Sequence, residues 1–181
     1  MASAAQLIDF LHLVAETLTR DATHPVACQG AERLSAALAA PLAALPHRPS
    51  AIGAVDSLAG LPDHPLTDAV REISPQLPWI ASPRVDDDGA HVGLVLLDQV
   101  VELDNVVTGL TVLDAHSTYP EHNHPPSEVY LILGGEAQWR YGGSDEFVTH
   151  ATGDIVHNHP DDWHEIRTTT QPTVAIWTLW S

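Results

Sequence analysis

In the stretch PEHNHPPSEVY, residues 120–130, two histidines stand two apart, a glutamate follows four later, and a tyrosine lies two beyond that. Side chains on a strand alternate faces, so His122 and His124 point the same way, about 6.5–7 Å apart along the backbone, close enough to share one ion. Glu128 has the same parity and comes round to the same interior once strand geometry resumes after Pro125 and Pro126. His164, on another strand, can supply the closing ligand. Three imidazoles and a carboxylate form a mixed nitrogen and oxygen shell. That shell suits one divalent transition metal ion, Zn, Fe, Mn, Co or Ni, and not Ca or Mg, which prefer oxygen alone. A single strand histidine is ordinarily a surface or hydrogen-bonded residue, so the inference rests on the whole set. Tyr130 shares the parity of Glu128 and faces the same interior. A free phenol, with a pKa of about 10, is a poor general base at neutral pH. A divalent cation beside it favours the phenolate, which makes Tyr130 the candidate base.

Such a set needs a rigid scaffold. From about His91 the chain turns to β-branched runs: HVGLVLL, QVVELD, VVTGLTVL, EVYLIL, EAQWRY, DEFVTH, DIVHN, HEIRTT and TVAIWTLW. Gly134–Gly135 and Gly142–Gly143 read as hairpin punctuation between them, and the spacing predicts an antiparallel sandwich or barrel. Upstream, residues 3–20 place Leu7, Leu11, Val14 and Leu18 at helical spacing, with Ser3 and Gln6 arranged to cap the start. A second, Ala-rich segment over about 27–45 is expected to be helical but interrupted or ended near Pro41, and a short helix is expected around 67–73. Proline-spaced loops separate them. The expectation is a mainly β chain: an N-terminal α-helical layer over 1–85, packed on a small antiparallel β-barrel or jelly-roll over 86–181 that holds the metal site, in one structural domain.

Composition narrows the partners. With 181 residues, 44% of them hydrophobic, the chain can bury one substantial core. A net charge of -17, from 24 acidic and 7 basic residues, argues against nucleic acid and anionic membrane surfaces. It favours solubility, and secondarily a substrate carrying positive charge. Cys28 is the only cysteine, so an intrachain disulfide and a Cys-based metal cluster are both excluded. The start, MASAAQLIDFLHLVAETLTRD, reads neither as a signal peptide nor as a membrane span, so a cytoplasmic location is the default expectation. A small-molecule substrate and a symmetric homodimer are the expected partners. His150, His157 and His159 are assigned to the surface or to support around the site.

The run from His122 and His124 through Glu128 to Gly135 matches the first cupin motif, and GDIVHNHPDDWH, ending at His164, resembles the second. The likeness covers roughly residues 90–181. It departs in two places: His116 replaces the glycine that usually opens the first motif, and His159 stands where the second commonly has proline. Cupins include isomerases, dioxygenases, decarboxylases, lyases and non-catalytic binders, so the fold alone chooses no reaction. The fuller pattern, Tyr119-Pro-x-His122-x-His124 followed by Glu128 and Tyr130, is similar to the cupin-type dimethylsulfoniopropionate (DMSP) lyases, the DddQ-like group. That resemblance implies His124, Glu128 and His164 as metal ligands, His122 as a ligand or close neighbour, Tyr130 as base and Tyr119 as a second active-site phenol. It also implies cleavage of DMSP to acrylate and dimethyl sulfide by β-elimination. A sulfonium is a soft cation suited to aromatic faces. Trp139, Trp163, Trp177 and Trp180 lie in the β region; Trp177 and Trp180 differ in parity, so only one turns inward, and Trp177 joins Tyr119 as the substrate-binding candidate. Two rival readings use the same shell: a dioxygenase or isomerase acting on another small carboxylate, and a non-catalytic small-ligand binder.

Overall fold

Leu7, Leu11, Val14 and Leu18 lie along one side of a single helix, α1 (Ala4–Asp21), and all four are buried. The computed structural model describes residues 4–85 and 91–181; Ser3, half of the expected capping pair, falls outside them. α2 (Pro25–Leu38) and α4 (Pro65–Ile73) begin at 25 instead of 27 and at 65 instead of 67, while α3 (Gly53–Asp56) is one turn. The earlier starts share a cause. A histidine precedes each proline, and its Nδ1 accepts a backbone N–H, from Val26 to His24 at 3.3 Å and from Leu66 to His64 at 3.2 Å. Proline then fills the first helical position, where it has no N–H to lose. The cap is usually Ser, Thr, Asp or Asn, so histidine hides the signal. α2 ends at Leu38, at the break expected near Pro41, which biases the residue before it away from helical geometry, and residues 39–45 are not helical.

The strands are β1 (Ile80–Ala81), β2 (Val92–Leu96), β3 (Val107–Leu113), β4 (Thr118–His122), β5 (Ser127–Tyr141), β6 (Val148–Ala151), β7 (Ile155–Asn158), β8 (His164–Arg167) and β9 (Thr173–Trp180). They pair antiparallel in the order β1-β2-β3-β9-β5-β8-β4, with β6 and β7 also on β5. This is the mainly β fold class expected, an antiparallel half-barrel with helices laid against it. The sheet already begins within residues 1–85, because β1 pairs with β2. QVVELD is not a strand: Gln99, its first residue, closes a helical turn at Leu97–Gln99, and Val101 makes only an isolated bridge to Ala44. No described helix is long and apolar enough to cross a membrane.

EVYLIL and EAQWRY, expected as two strands around a Gly-Gly hairpin, are one strand. Gly134 and Gly135 sit inside β5, where its register against β9 shifts between Ile132 and Gly134. Gly135 takes φ 77, and a Cβ there would collide with the Pro172 carbonyl oxygen. The pair therefore bends a strand and does not reverse it. That bend lets β5 serve both halves of the barrel, pairing first with β7 and β9 and then with β6 and β8. Gly142–Gly143 is the turn expected.

Parity along β5 sorts its side chains between two cores. Val129, Leu131 and Leu133 pack with α1, α2 and α4, whereas Tyr130 and Ile132 join Trp139, Val156, Ile166 and Trp177 inside the barrel. Both faces being covered, the strand reads as an unbroken apolar run. Each buried aliphatic side chain in the helical layer contributes roughly 1.5–3 kcal/mol. The layer thus fixes the outer face of β5, and with it the direction in which Glu128 and Tyr130 point.

Candidate metal centre

Four expected donors meet at one end of the barrel. His122 ends β4, His164 begins β8 directly opposite it, and Glu128 lies near the start of β5. His124 is not on a strand; it stands in the turn between β4 and β5, so turn geometry and not strand parity brings its ring alongside. The His122 ring centroid lies 6.2 Å from that of His124 and 4.2 Å from that of His164. One nitrogen from each of the three rings falls within 4.8 Å of the others. His116, where the motif usually has glycine, takes that glycine's left-handed conformation at φ 59.

Each ring is aimed by a carbonyl. Nδ1 of His122 donates to Pro120 O at 2.8 Å, Nδ1 of His124 to Pro126 O at 3.0 Å, and Nδ1 of His164 to Asp162 O at 2.9 Å. A carbonyl only accepts, so Nδ1 carries the proton and the Nε2 lone pair of each neutral ring faces inward. Metal-binding histidines are oriented in this way. Nε2 of His164 is buried without a hydrogen-bond partner. The Glu128 carboxylate approaches His124 Nε2 to 3.0 Å and His164 Nε2 to 3.5 Å. Inward lone pairs facing a carboxylate require a shared proton or cation, and the four donors fit a single metal ion. Where a proton bridges, burial lowers the His124 pKa but the hydrogen bond and charge of Glu128 outweigh it and raise the pKa overall. His122 goes the other way, pulled down to about 4 by burial and by His164.

Asn158 went unnoticed in the sequence. It stands opposite Glu128 in the β5–β7 register and is fully buried. Its Nδ2 donates to Glu128 at 2.6 Å, and its Oδ1 accepts from the Tyr141 hydroxyl at 3.0 Å. One available signal was a polar residue sharing the inward parity of Val156 in DIVHN.

Tyr130 points into the same space and is 3% exposed. Its ring packs edge-on to Trp139 at 5.7 Å. Burial drives its pKa well above the usual phenol value, and the charge and hydrogen bond of Glu128 add to this. Tyr119 packs edge-on to His122 at 4.8 Å; burial raises its pKa, against hydrogen bonds from Ser82 and Arg84 that lower it. Trp177 pairs across the sheet with Tyr130 and donates from its indole N–H to Thr111 Oγ1 at 2.9 Å. Gly109 lies beneath its ring, where any β-carbon would collide. Trp180 turns outward to pack on Gly30 of α2, Trp139 is buried and Trp163 is 51% exposed. Together His122, His124, Glu128, Tyr119, Tyr130 and Trp177 border a cavity of about 220 Å³, with Leu94, Leu96 and Leu179 forming an apolar side and Arg84 the basic residue in its wall. A larger groove of about 540 Å³ beside Trp163 contains none of the four donors.

The model of the dimethylsulfoniopropionate lyase family matches residues 31–175. The chain belongs to that family. It is thus a carbon–sulfur lyase, a DMSP lyase by family. The DMSP lyase DddQ from Ruegeria pomeroyi DSS-3 shares its fold, with 21% identity over 99% of this chain and 93% of that one and a TM-score of 0.78. A chain from the crystal structures of the DMSP lyases RdDddP and RnDddQII matches with 18% identity, over 99% of this chain and 94% of that one, at a TM-score of 0.75. No curated protein matches the chain significantly.

Proposed function

We propose that the cavity cleaves DMSP to acrylate and dimethyl sulfide by β-elimination, with Tyr130 as the general base. The observation that carries this reading is the shared cavity: the His122 and His124 imidazoles, the Glu128 carboxylate and the Tyr130 phenol all border it, and one nitrogen of the buried His164 lies within 4.8 Å of those of His122 and His124. A divalent transition metal held by His122, His124, His164 and Glu128 would supply Lewis-acid charge to the substrate carboxylate and to the neighbouring phenol.

The residues divide the remaining work. The Tyr130 phenolate takes the proton from the carbon next to the carboxylate. Those electrons form the double bond, the bond from the next carbon to sulfur breaks, and dimethyl sulfide leaves with its electron pair. Tyr130 ends as the neutral phenol and returns its proton to solvent. Trp177 presents an aromatic face to the sulfonium. Tyr119 and Arg84 line the cavity beside His122, where their O–H and N–H groups orient the carboxylate. Leu94, Leu96 and Leu179 limit water, which strengthens each polar contact.

Headspace detection of dimethyl sulfide from purified protein and DMSP, with and without chelator, tests the reading. Release that chelator abolishes and added metal restores is the expected result. Oxygen consumption with iron and no dimethyl sulfide would replace it with a dioxygenase.

A further inference from the structure

Away from the cavity, three more histidines gather from two parts of the chain. His24 caps α2, His157 lies on β7 and His159 follows just beyond. The His24 and His157 rings stack with centroids 3.6 Å apart and planes 13° from parallel. His159 stands edge-on to both, at 5.8 Å and 5.9 Å. One nitrogen from each lies within 4.8 Å of the other two, and no residue is shared with the centre at His122, His124 and His164. We propose that His24, His157 and His159 form a second transition-metal site, which clasps the helical layer to the strand that orients Glu128.

Imidazoles without a carboxylate suit borderline divalent ions such as Zn(II), Co(II), Ni(II) or Cu(II), not Ca(II) or Mg(II). Packing accounts for His24 on His157, but His159 is exposed and adds nothing to a core. Its backbone N–H is nevertheless fixed, donating to the Asp162 carboxylate at 2.8 Å. Between the two β7-side histidines, Asn158 turns to the opposite face and donates to Glu128 at 2.6 Å. An ion on the outer face would therefore stiffen the bond that aims Glu128 on the inner face, and would tie the start of α2 to β7. Binding has two requirements. His24 Nδ1 accepts the Val26 N–H at 3.3 Å, so its proton sits on Nε2 and must shift to Nδ1, breaking that cap bond, and the stacked pair must tilt so that their lone pairs converge. The cap bond given up is a long one, and His159 stands free to follow.

Metal counting tests this without reference to turnover. The purified full chain is stripped with chelator, equilibrated with Zn(II) or Co(II), and the bound metal counted by mass spectrometry. Two ions per chain are expected for the wild type, and one each for His159→Gln and His24→Gln. His124→Ala should hold one, lost in the His124→Ala/His159→Gln double variant. Zn(II) should raise the Tm of His124→Ala but not that of the double variant. A wild-type count of one, or a count unchanged by His159→Gln, overturns the second site. Absence of dimethyl sulfide from a chain that binds two ions would instead overturn the proposed reaction.

Discussion

Replacing Tyr130 by Phe removes one oxygen and little else. The ring keeps its buried place edge-on to Trp139 at 5.7 Å, so packing is preserved and the Tm change should be limited to the lost hydrogen bond with Glu128, about 1 kcal/mol. The lost oxygen is the proposed base, a group whose contribution is typically 10²- to 10⁴-fold in rate. The environment allows a second bound. An ordinary phenol, pKa about 10, is ionised to roughly one part in a thousand at pH 7. Burial and Glu128 push Tyr130 further from ionisation, so without a cation the base is scarcer still. Chelation should thus cost at least about 10³-fold through the base alone, about 4 kcal/mol at 1.36 kcal/mol per pKa unit. Tyr130→Phe and metal removal should each bring dimethyl sulfide release near background, yet only the second should change the metal count. A base must be deprotonated to act, so wild-type kcat/KM should fall as pH drops through the phenol pKa of the metal-loaded enzyme. Near-normal turnover in Tyr130→Phe, or loss of metal along with activity, would refute the assignment.

His124→Ala and Glu128→Ala should lose both activity and the ion at the cavity, measured by metal content after dialysis. Asn158→Leu keeps a similar volume but deletes the 2.6 Å bond to Glu128. Bonds of this kind around a metal ligand are worth roughly 10–100-fold in metal affinity. Competition against a chelator of known affinity should show that loss, and an unchanged affinity would remove Asn158 from the site. Gly135→Ala should destabilise through both left-handed strain, about 1–2 kcal/mol, and the clash with Pro172, a further 1–3 kcal/mol. Gly143→Ala shares the positive φ but meets open space, so denaturant melts should show only the strain there.

The readable and unreadable parts of the site differ in how local their causes are. His122, His124, Glu128 and Tyr130 lie within nine residues of chain, and a two-residue period places Glu128 and Tyr130 on one face without knowledge of the fold. Asn158, Arg84 and Ser82 contribute through contacts that exist only once distant strands or loops come together, and no local period marks them. The two misplaced helix starts have a different origin: the signals were local, but His24 and His64 perform a capping role that their residue type seldom takes. Gly134–Gly135 misled because a glycine pair marks positive φ without saying whether the chain reverses or bends. Pairing decides that, and here β9 continues across the pair while Pro172 presses against it.

The strand that results has a consequence for the chemistry. Because β5 passes through the bend unbroken, Glu128 and Tyr130 ride on one rigid segment whose other face is held by Val129 and Leu131 against the helices. A shift that withdrew Glu128 from the imidazoles would withdraw Tyr130 as well. The proposed ligand and the proposed base are therefore coupled mechanically as well as electrostatically. Core substitutions beneath them, such as Val129→Ala, should lower metal affinity and turnover together, although Val129 sits in the helical core and not among the residues lining the cavity. A drop in stability with both quantities unchanged would separate the helical layer from the site and remove its positioning role.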